Sequence, residues 1–468
     1  MCPNENISFP IGTVLTVKNY YRKLDLHSLF KPFKERGIDL NSLIQSLITY
    51  RLTENLSISR GADWINRKEV LEVFDLEKFD QRTLYRVLPI LGENKDEIML
   101  GIQDRIFKTF EFESTDTNLD WTSIVLHGTK CRLGKRGYSR DHEPGKKQIT
   151  VGLAELAAPL NIPIGMTVRE GNVNDQVHFV DTFNQIKDRL KKDSVLVIDQ
   201  GANRKTNLDL IEAHNFKFVT ARKLNKSDDQ TWIRSFDKKK AELVDEKNGV
   251  YGLVREFPSR TNYLFFSEKL QHEHLEAKFR KVDRLFHEAE AIQKSLESKR
   301  GLPKRYRLDN PLVECEYSYQ TKLGMMDETQ AKKVLKKACI TGREGFFCLV
   351  SNKDLTLSRI LKIYRQKDSI EKIFNSLKNE IIIKPLRVWS TAAIHGALII
   401  GFLAQLFMSL VRFEQQELKH TSVKFIKYSI GSLTVTVEKR KGKLRRLIYS
   451  NFDTISTQVL GLNQAKVG

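Results

Sequence analysis

Cysteine is scarce in this chain of 468 residues. The five that occur (Cys2, Cys131, Cys315, Cys339 and Cys348) are scattered, odd in number and never in a Cys-x2-Cys pair. That excludes a disulfide-stapled scaffold and argues against a structural zinc site. Internal repeats and low-complexity tracts are also missing. The stretch Met1 to Pro10 is polar and has no basic segment leading into an apolar run. No secretory start is visible, and the expected compartment is the reducing cytoplasm. The largest deficit is in negative charge. Asp and Glu number 58 against 78 Lys and Arg, a net +20.

What is present narrows the classes further. Hydrophobic residues make up 40% of the chain and aromatics 9%, enough for a core, so a wholly disordered basic chain is excluded. The length suggests about three domains. A basic excess favours a polyanionic partner, most commonly nucleic acid; a soluble protein that is merely basic is the other reading. One run, Ala392 to Val411, is almost long enough to cross a bilayer. It contains His395, Gln405 and Ser409 and stands alone, so a buried core helix is expected and no membrane.

Texture changes along the chain. From about Tyr20 to Phe110 the pattern is helical, and Arg82 and Arg86 fall on a different face from Leu84, Val87 and Leu88. Short helices bearing arginine suit a DNA reader of the helix-turn-helix kind, or an ordinary bundle. Beyond Phe110 come strand-like runs: Leu119 to His127, Lys147 to Leu156, Pro163 to Val168 and the wholly apolar Ser194 to Ile198. Strands alternating with helices predict an α/β or mixed-sheet domain. From about Arg222 to Arg343, Lys and Glu dominate and the stretch reads as an insertion. Sheet texture returns at Gly345, and Ser432 to Ser450 reads as a basic hairpin.

Three carboxylates stand out by setting. Asp120 lies in a β-prone apolar stretch. Asp199 ends the buried strand and precedes a turn, where open α/β sheets bind ligands. Glu371 borders the apolar stripe Ile370, Ile373, Phe374 and Leu377 of an expected helix. Converging, they would form a hard-oxygen cage suited to Mg²⁺. Tyr364, Lys367 and Lys378 stand seven before, four before and seven after Glu371, spacings that return to one helix face. They can grip phosphate there, or they can be a surface helix with Lys–Glu pairs. Lys130, Arg132, Lys135, Arg136 and Arg140 form a basic run beside Asp120, a DNA-backbone contact or a solvated loop.

Tyr364-x2-Lys367-x3-Glu371-x6-Lys378 resembles the Tyr-x2-Arg-x3-Glu-x6-Lys signature of insertion-sequence DDE transposases, specifically the fourth insertion-sequence family and its close relatives. Lys367 stands where the signature has Arg; it keeps the charge and loses the bidentate fork. Further blocks are similar in the right order: Leu119 to Ile124; Gly137 to Asp141 with Gln148, Gly152, Pro163, Gly171 and Asp175; Val197 to Asn203; and Lys384-Pro385-Leu386. The likeness spans about residues 115 to 412.

This resemblance implies an α/β fold with an RNase H-like mixed-sheet core interrupted by a β-rich insertion between Asp199 and Glu371. The expected organisation is a helical DNA-binding region over 1–110, core over 111–225, insertion over 226–343, core with the Glu helix over 344–415 and a basic hairpin region over 416–468. It implies Asp120, Asp199 and Glu371 as catalytic ligands of two Mg²⁺ ions, with Mn²⁺ able to substitute. Tyr364, Lys367 and Lys378 would hold phosphates, joined by Lys130, Arg132, Arg136 and Arg140. The partners would be DNA, as terminal inverted repeats and target, and a second copy of the chain in the synaptic complex. Cutting would precede joining of the 3′-OH, through a hairpin in many family members. Trp232, the only tryptophan of the insertion, is a base-flipping candidate or a packing residue. His127 and His142 are read as surface or packing residues. The rivals are a transposase-derived DNA-binding protein and an RNase H-like nuclease without strand transfer. The charge alone makes one prediction. In binding titrations on duplex DNA, log affinity falls linearly with log salt, by about 0.9 per phosphate neutralised; a flat dependence would remove the charge argument.

Overall fold

The computed structural model describes residues 7–34, 36–54, 57–126, 131–140, 143, 145–224, 227–298, 309–315, 319–381, 390–440 and 443–461. The chain divides into two compact units, residues 1–218 with 363–468, and residues 219–362.

The first unit is built on a mixed sheet. Thr117–Val125 pairs antiparallel with Gln148–Leu156, which pairs antiparallel with Ile162–Glu170. On its other edge Thr117–Val125 pairs parallel with Val195–Ile198. The Gln148–Leu156 strand is buried along its whole length, as its apolar sequence requires. The helix Asp175–Ile186 packs on the sheet and opens with Asn174, whose side chain accepts the Val177 N–H.

Helices Gly12–Lys23, Leu40–Leu52, Arg82–Glu93 and Lys95–Thr109 belong to this same unit. Their apolar faces gather around Thr391–Glu414, the run that imitates a membrane span. Its most apolar 18-residue window is entirely buried in protein, and Ser390 caps it by accepting the Ala393 N–H. The run is apolar on all sides because other helices surround it. Two glycines allow the closest approach. A Cβ on Gly92 would lie 1.8 Å from the Ala392 carbonyl oxygen, and one on Gly396 would lie 2.0 Å from that of Leu88. Arg82 and Arg86 are exposed on the outer face of their helix, while Leu84, Val87 and Leu88 are buried. At the end of the chain, Thr434–Arg440 and Lys443–Ser450 form an antiparallel pair, and Ile7–Pro10 adds to its edge.

The second unit is also built on paired strands. Residues 219–222 pair with Phe346–Ser351, which pairs with Thr261–Ser267, then Val250–Glu256 and Glu242–Asp245. The unit is wider than the Lys- and Glu-rich stretch because this sheet recruits the apolar segments on both sides of it. It is not only β: the 30-residue helix Glu268–Glu297 packs on Glu328–Cys339 around Leu285, Phe286, Ala289 and Leu335.

The glycine crossing yields a prediction. Gly396→Ala forces the two helices apart and destabilises the protein by about 1–3 kcal/mol, despite alanine's better helix propensity. Denaturant unfolding of the variant beside the parent measures it.

Candidate active site

Strand register accounts for the first pair of acids. Leu119 lies opposite Ile198 in the parallel pairing, so the next residues on the two strands are Asp120 and Asp199. The two carboxylates repel: Asp199 raises the pKa of Asp120, as does the larger effect of burial. Lys367, the Trp121 N–H and Arg140 act in the opposite direction and stabilise the Asp120 anion.

The alternation of this strand sorts its side chains. Trp121 points away from the site, is 2% exposed and donates to Thr182 Oγ1 at 3.1 Å. Asn118, Asp120 and Thr122 share the other face, and each meets the chain around Glu371. Asn118 Nδ2 donates to Ser369 Oγ at 3.2 Å. Lys367 Nζ lies 3.6 Å from Asp120 Oδ1, with both side chains largely buried. Lys378 Nζ donates to Thr122 Oγ1 at 2.7 Å. Glu371 itself is exposed beside the buried stripe Ile370, Ile373, Phe374 and Leu377.

Tyr364 completes the cluster. Its hydroxyl hydrogen-bonds the Asp199 carboxylate, and its pKa is raised by burial first, then by the charges of Asp199, Glu371 and Asp120. The phenol therefore stays protonated and acts as a donor. One residue thus senses all three acids.

The helix containing these groups is not continuous. Leu357–Gln366 stops, Asp368–Asn375 begins anew, and Ser376–Glu380 is a π-helical turn. At the break, the Lys367 N–H bonds Tyr364 O and the Ile370 N–H bonds Lys367 O, tight i to i+3 links. The spacing of Tyr364, Lys367, Glu371 and Lys378 therefore does not run through one unbroken helix. Lys367 sits in the break and is turned inward to its ion pair, and Lys378 reaches Thr122 from the π turn. Such interruptions are common at functional sites.

On the rim, Arg140 NH2 bonds Asp175 Oδ2 at 2.5 Å, and its backbone N–H donates to Ser123 Oγ at 2.9 Å. A Cβ on Gly201 would lie 2.9 Å from the same Asp175 oxygen, so a side chain there would push that carboxylate aside. Tyr138, Arg140, Asn172, Asp175 and Gly201 line a cavity of about 330 Å³. Arg132 and Arg136 are exposed. Lys130, His127, His142 and the Lys384-Pro385-Leu386 block lie outside the described residues. In the second unit Trp232 is half-buried, with the Arg255 guanidinium 5.8 Å from its ring centroid.

All three acids offer hard oxygen, which suits Mg²⁺ or Mn²⁺ and not a soft metal. Among the described residues no group of three or more His, Cys, Asp or Glu is drawn together at metal-holding geometry. Lys367 supplies the counter-charge to Asp120. The donor set and its need for positive charge fit divalent cations.

Two residues at this site were not evident from sequence. Asn118 and Glu155 face each other across the antiparallel pair, and Asn118 Nδ2 donates to Glu155 Oε2 at 3.1 Å. The signal was available: Glu155 is the only acid in a strand otherwise free of charge.

The sequence profile described as Transposase DDE domain matches residues 112–407. No curated protein matches the chain. Among solved structures the chain is similar to one described as a piggyBac transposase synaptic complex with hairpin DNA, determined by cryo-EM. The identity is 10% and the TM-score 0.42, over 92% of this chain and 81% of that one.

The electrostatics of the pair lead to a prediction. Lys367→Met removes the cation that lowers the Asp120 pKa, which then rises further. Carboxyl-selective NMR titration of metal-free protein reads the shift; an unmoved Asp120 would show that the ion pair contributes nothing in solution.

Proposed function

Because the chain belongs to the Transposase DDE domain family, we propose that it is the transposase of an insertion sequence of the Tyr-Arg-Glu-Lys type, with an RNase H-like core. It binds terminal inverted repeats, cuts the DNA and joins the freed 3′-OH ends to target DNA, through a hairpin or without one. The observation that carries the reading is the register that brings Asp120 beside Asp199, with Tyr364 responding to both and to Glu371.

Asp120, Asp199 and Glu371 would hold the divalent ions. Bound metal would supply activation of the attacking oxygen and stabilisation of the leaving one. The chain's own groups do the rest. Tyr364 donates a hydrogen bond at Asp199 and orients it. Lys367 pairs with Asp120 and would be available to a DNA phosphate if a bound cation supplied the counter-charge to that carboxylate. Lys378 and the rim arginines Arg132, Arg136 and Arg140, with Lys130, neutralise the backbone. Arg82 and Arg86 on the exposed helix face and the basic hairpin extend that surface for repeat recognition. Two copies would act on paired ends, in the cytoplasm at the nucleoid. Trp232 is a candidate for receiving a flipped base, and Arg255 would have to leave its ring first.

The rivals are separable. Full-length protein is incubated with terminal-repeat DNA and Mg²⁺ or Mn²⁺, with Asp199→Ala as control. Metal-dependent nicking followed by joining to supercoiled target is expected, with the control losing roughly a thousandfold or more. Binding without cleavage in either metal would leave a DNA-binding descendant; cleavage without joining would leave a nuclease.

A further inference from the structure

Glu155 has no part in the chemistry above, yet it is fully buried and touches both elements that build the site. Its Oε2 accepts from Asn118 Nδ2 at 3.1 Å and from Ser369 Oγ at 2.8 Å, and Asn118 Nδ2 also reaches Ser369 Oγ at 3.2 Å. Asn118 is two residues from Asp120 on one strand, and Ser369 is two residues from Glu371 on the helix. The three side chains close a ring that ties helix to strand.

The ring leaves two atoms over. Glu155 Oε1 and Asn118 Oδ1 are both buried without a hydrogen-bond partner. Both are acceptors if the carboxyl is ionised, and an ionised carboxylate with an orphaned oxygen is costly at a buried position. One proton on Oε1 resolves both. It neutralises the group and turns Oε1 into a donor, with the amide oxygen of its own ring partner in need of one.

We propose that Glu155 is a positioning residue which, as a neutral carboxylic acid, locks the Glu371 helix onto the Asp120 strand through Ser369 and Asn118. This rests on the proposed DNA-cutting role of those acids. Burial pushes the carboxyl up to about 8, against the two donors. Burial and these two donors are the causes of that shift; the charged groups on the packed elements are Asp120 on the neighbouring strand, Arg169 and Glu170 on the other, Asp175, His178 and Asp181 on the helix over the sheet, and Lys367, Asp368, Glu371 and Lys372 beside Ser369. The lock therefore holds at neutral pH and opens as pH rises through that value, when a charge must be buried or the ring must break.

The test compares Glu155→Ala and Glu155→Gln in the full chain, because glutamine mimics the neutral acid and cannot ionise. Glu155→Ala should lower metal-dependent cleavage roughly tenfold to a hundredfold with DNA binding intact. Glu155→Gln should restore most of the lost rate and abolish the decline expected above pH about 8 in the parent. Infrared spectra at neutral pH should show a protonated-carboxyl band in the parent that Glu155→Gln lacks. If Glu155→Gln is as impaired as Glu155→Ala, or the band is missing, the proposal falls. Should Glu155→Ala not fold, the glutamine variant's pH profile and the band still decide. If the parent cuts no DNA at all, the functional reading fails, while the band still reports whether Glu155 is neutral.

Discussion

Parallel pairing of Thr117–Leu119 with Leu196–Ile198 is the constraint on which the rest of the site depends. Two strands running the same way carry their next residues side by side, and here both next residues are aspartates. Nothing in hydrophobic packing favours that arrangement. It places two anions in a region where burial already opposes charge on Asp120. The surrounding structure responds with cations and donors: Lys367 against Asp120, the Tyr364 hydroxyl against Asp199, and Arg140 nearby. A cluster of negative charge compensated in this way has the perturbed electrostatics common at functional sites.

The strand's two-residue period converts this constraint into a division of labour. Outward positions 119 and 121 are committed to the core, with Trp121 held by Thr182. Positions 118, 120 and 122 each engage one residue of the Glu371 segment, at Ser369, Lys367 and Lys378 respectively. A regular helix advances too uniformly for residues 367, 369 and 378 to meet three alternate positions of one strand. The break at Lys367 and the π turn at Ser376–Glu380 remove that conflict. The irregularity follows from having to satisfy three lateral contacts at once, and each contact is polar and directional enough to repay a lost helical hydrogen bond.

Much of this was legible in sequence, and the limits are physical. Asp199 could be found because an acid ending a fully apolar strand has few structural reasons to be there. Asp120 and Glu371 could be found through the motif blocks and their order, since a lone acid in a strand or on a helix is usually uninformative. The apolar run at Ala392–Val411 was legible as core because it contains His395, Gln405 and Ser409, and the crossing glycines then show how it is enclosed. The helix break was not legible: spacing arithmetic assumes constant twist, and the tertiary contacts that interrupt the twist come from residues more than 200 positions away. Glu155 was missed for a related reason. A buried acid and an exposed one look alike in a string, and only the partners Asn118 and Ser369, from two other elements, give it meaning.

The same distinction bears on the net charge of +20. Composition counts all cations alike, whereas the structure separates them by what they already hold. Lys367 and Lys378 are buried and engaged with the strand; Arg132, Arg136, Arg82 and Arg86 are exposed. Exposed arginines are hydrated and cost little to bring to a phosphate, so they suit gathering DNA at long range. A buried lysine can be transferred to a phosphate only if something replaces its charge. On the proposed reading, such an exchange would couple arrival of a divalent cation to release of a phosphate-binding group, and it would require the acid left behind to remain in place. Anchoring the Glu371 segment through Ser369, independently of Lys367, allows one contact to open without dismantling the other. On that reading, a site with only the ion pair to hold helix against strand would lose its geometry once Lys367 left Asp120.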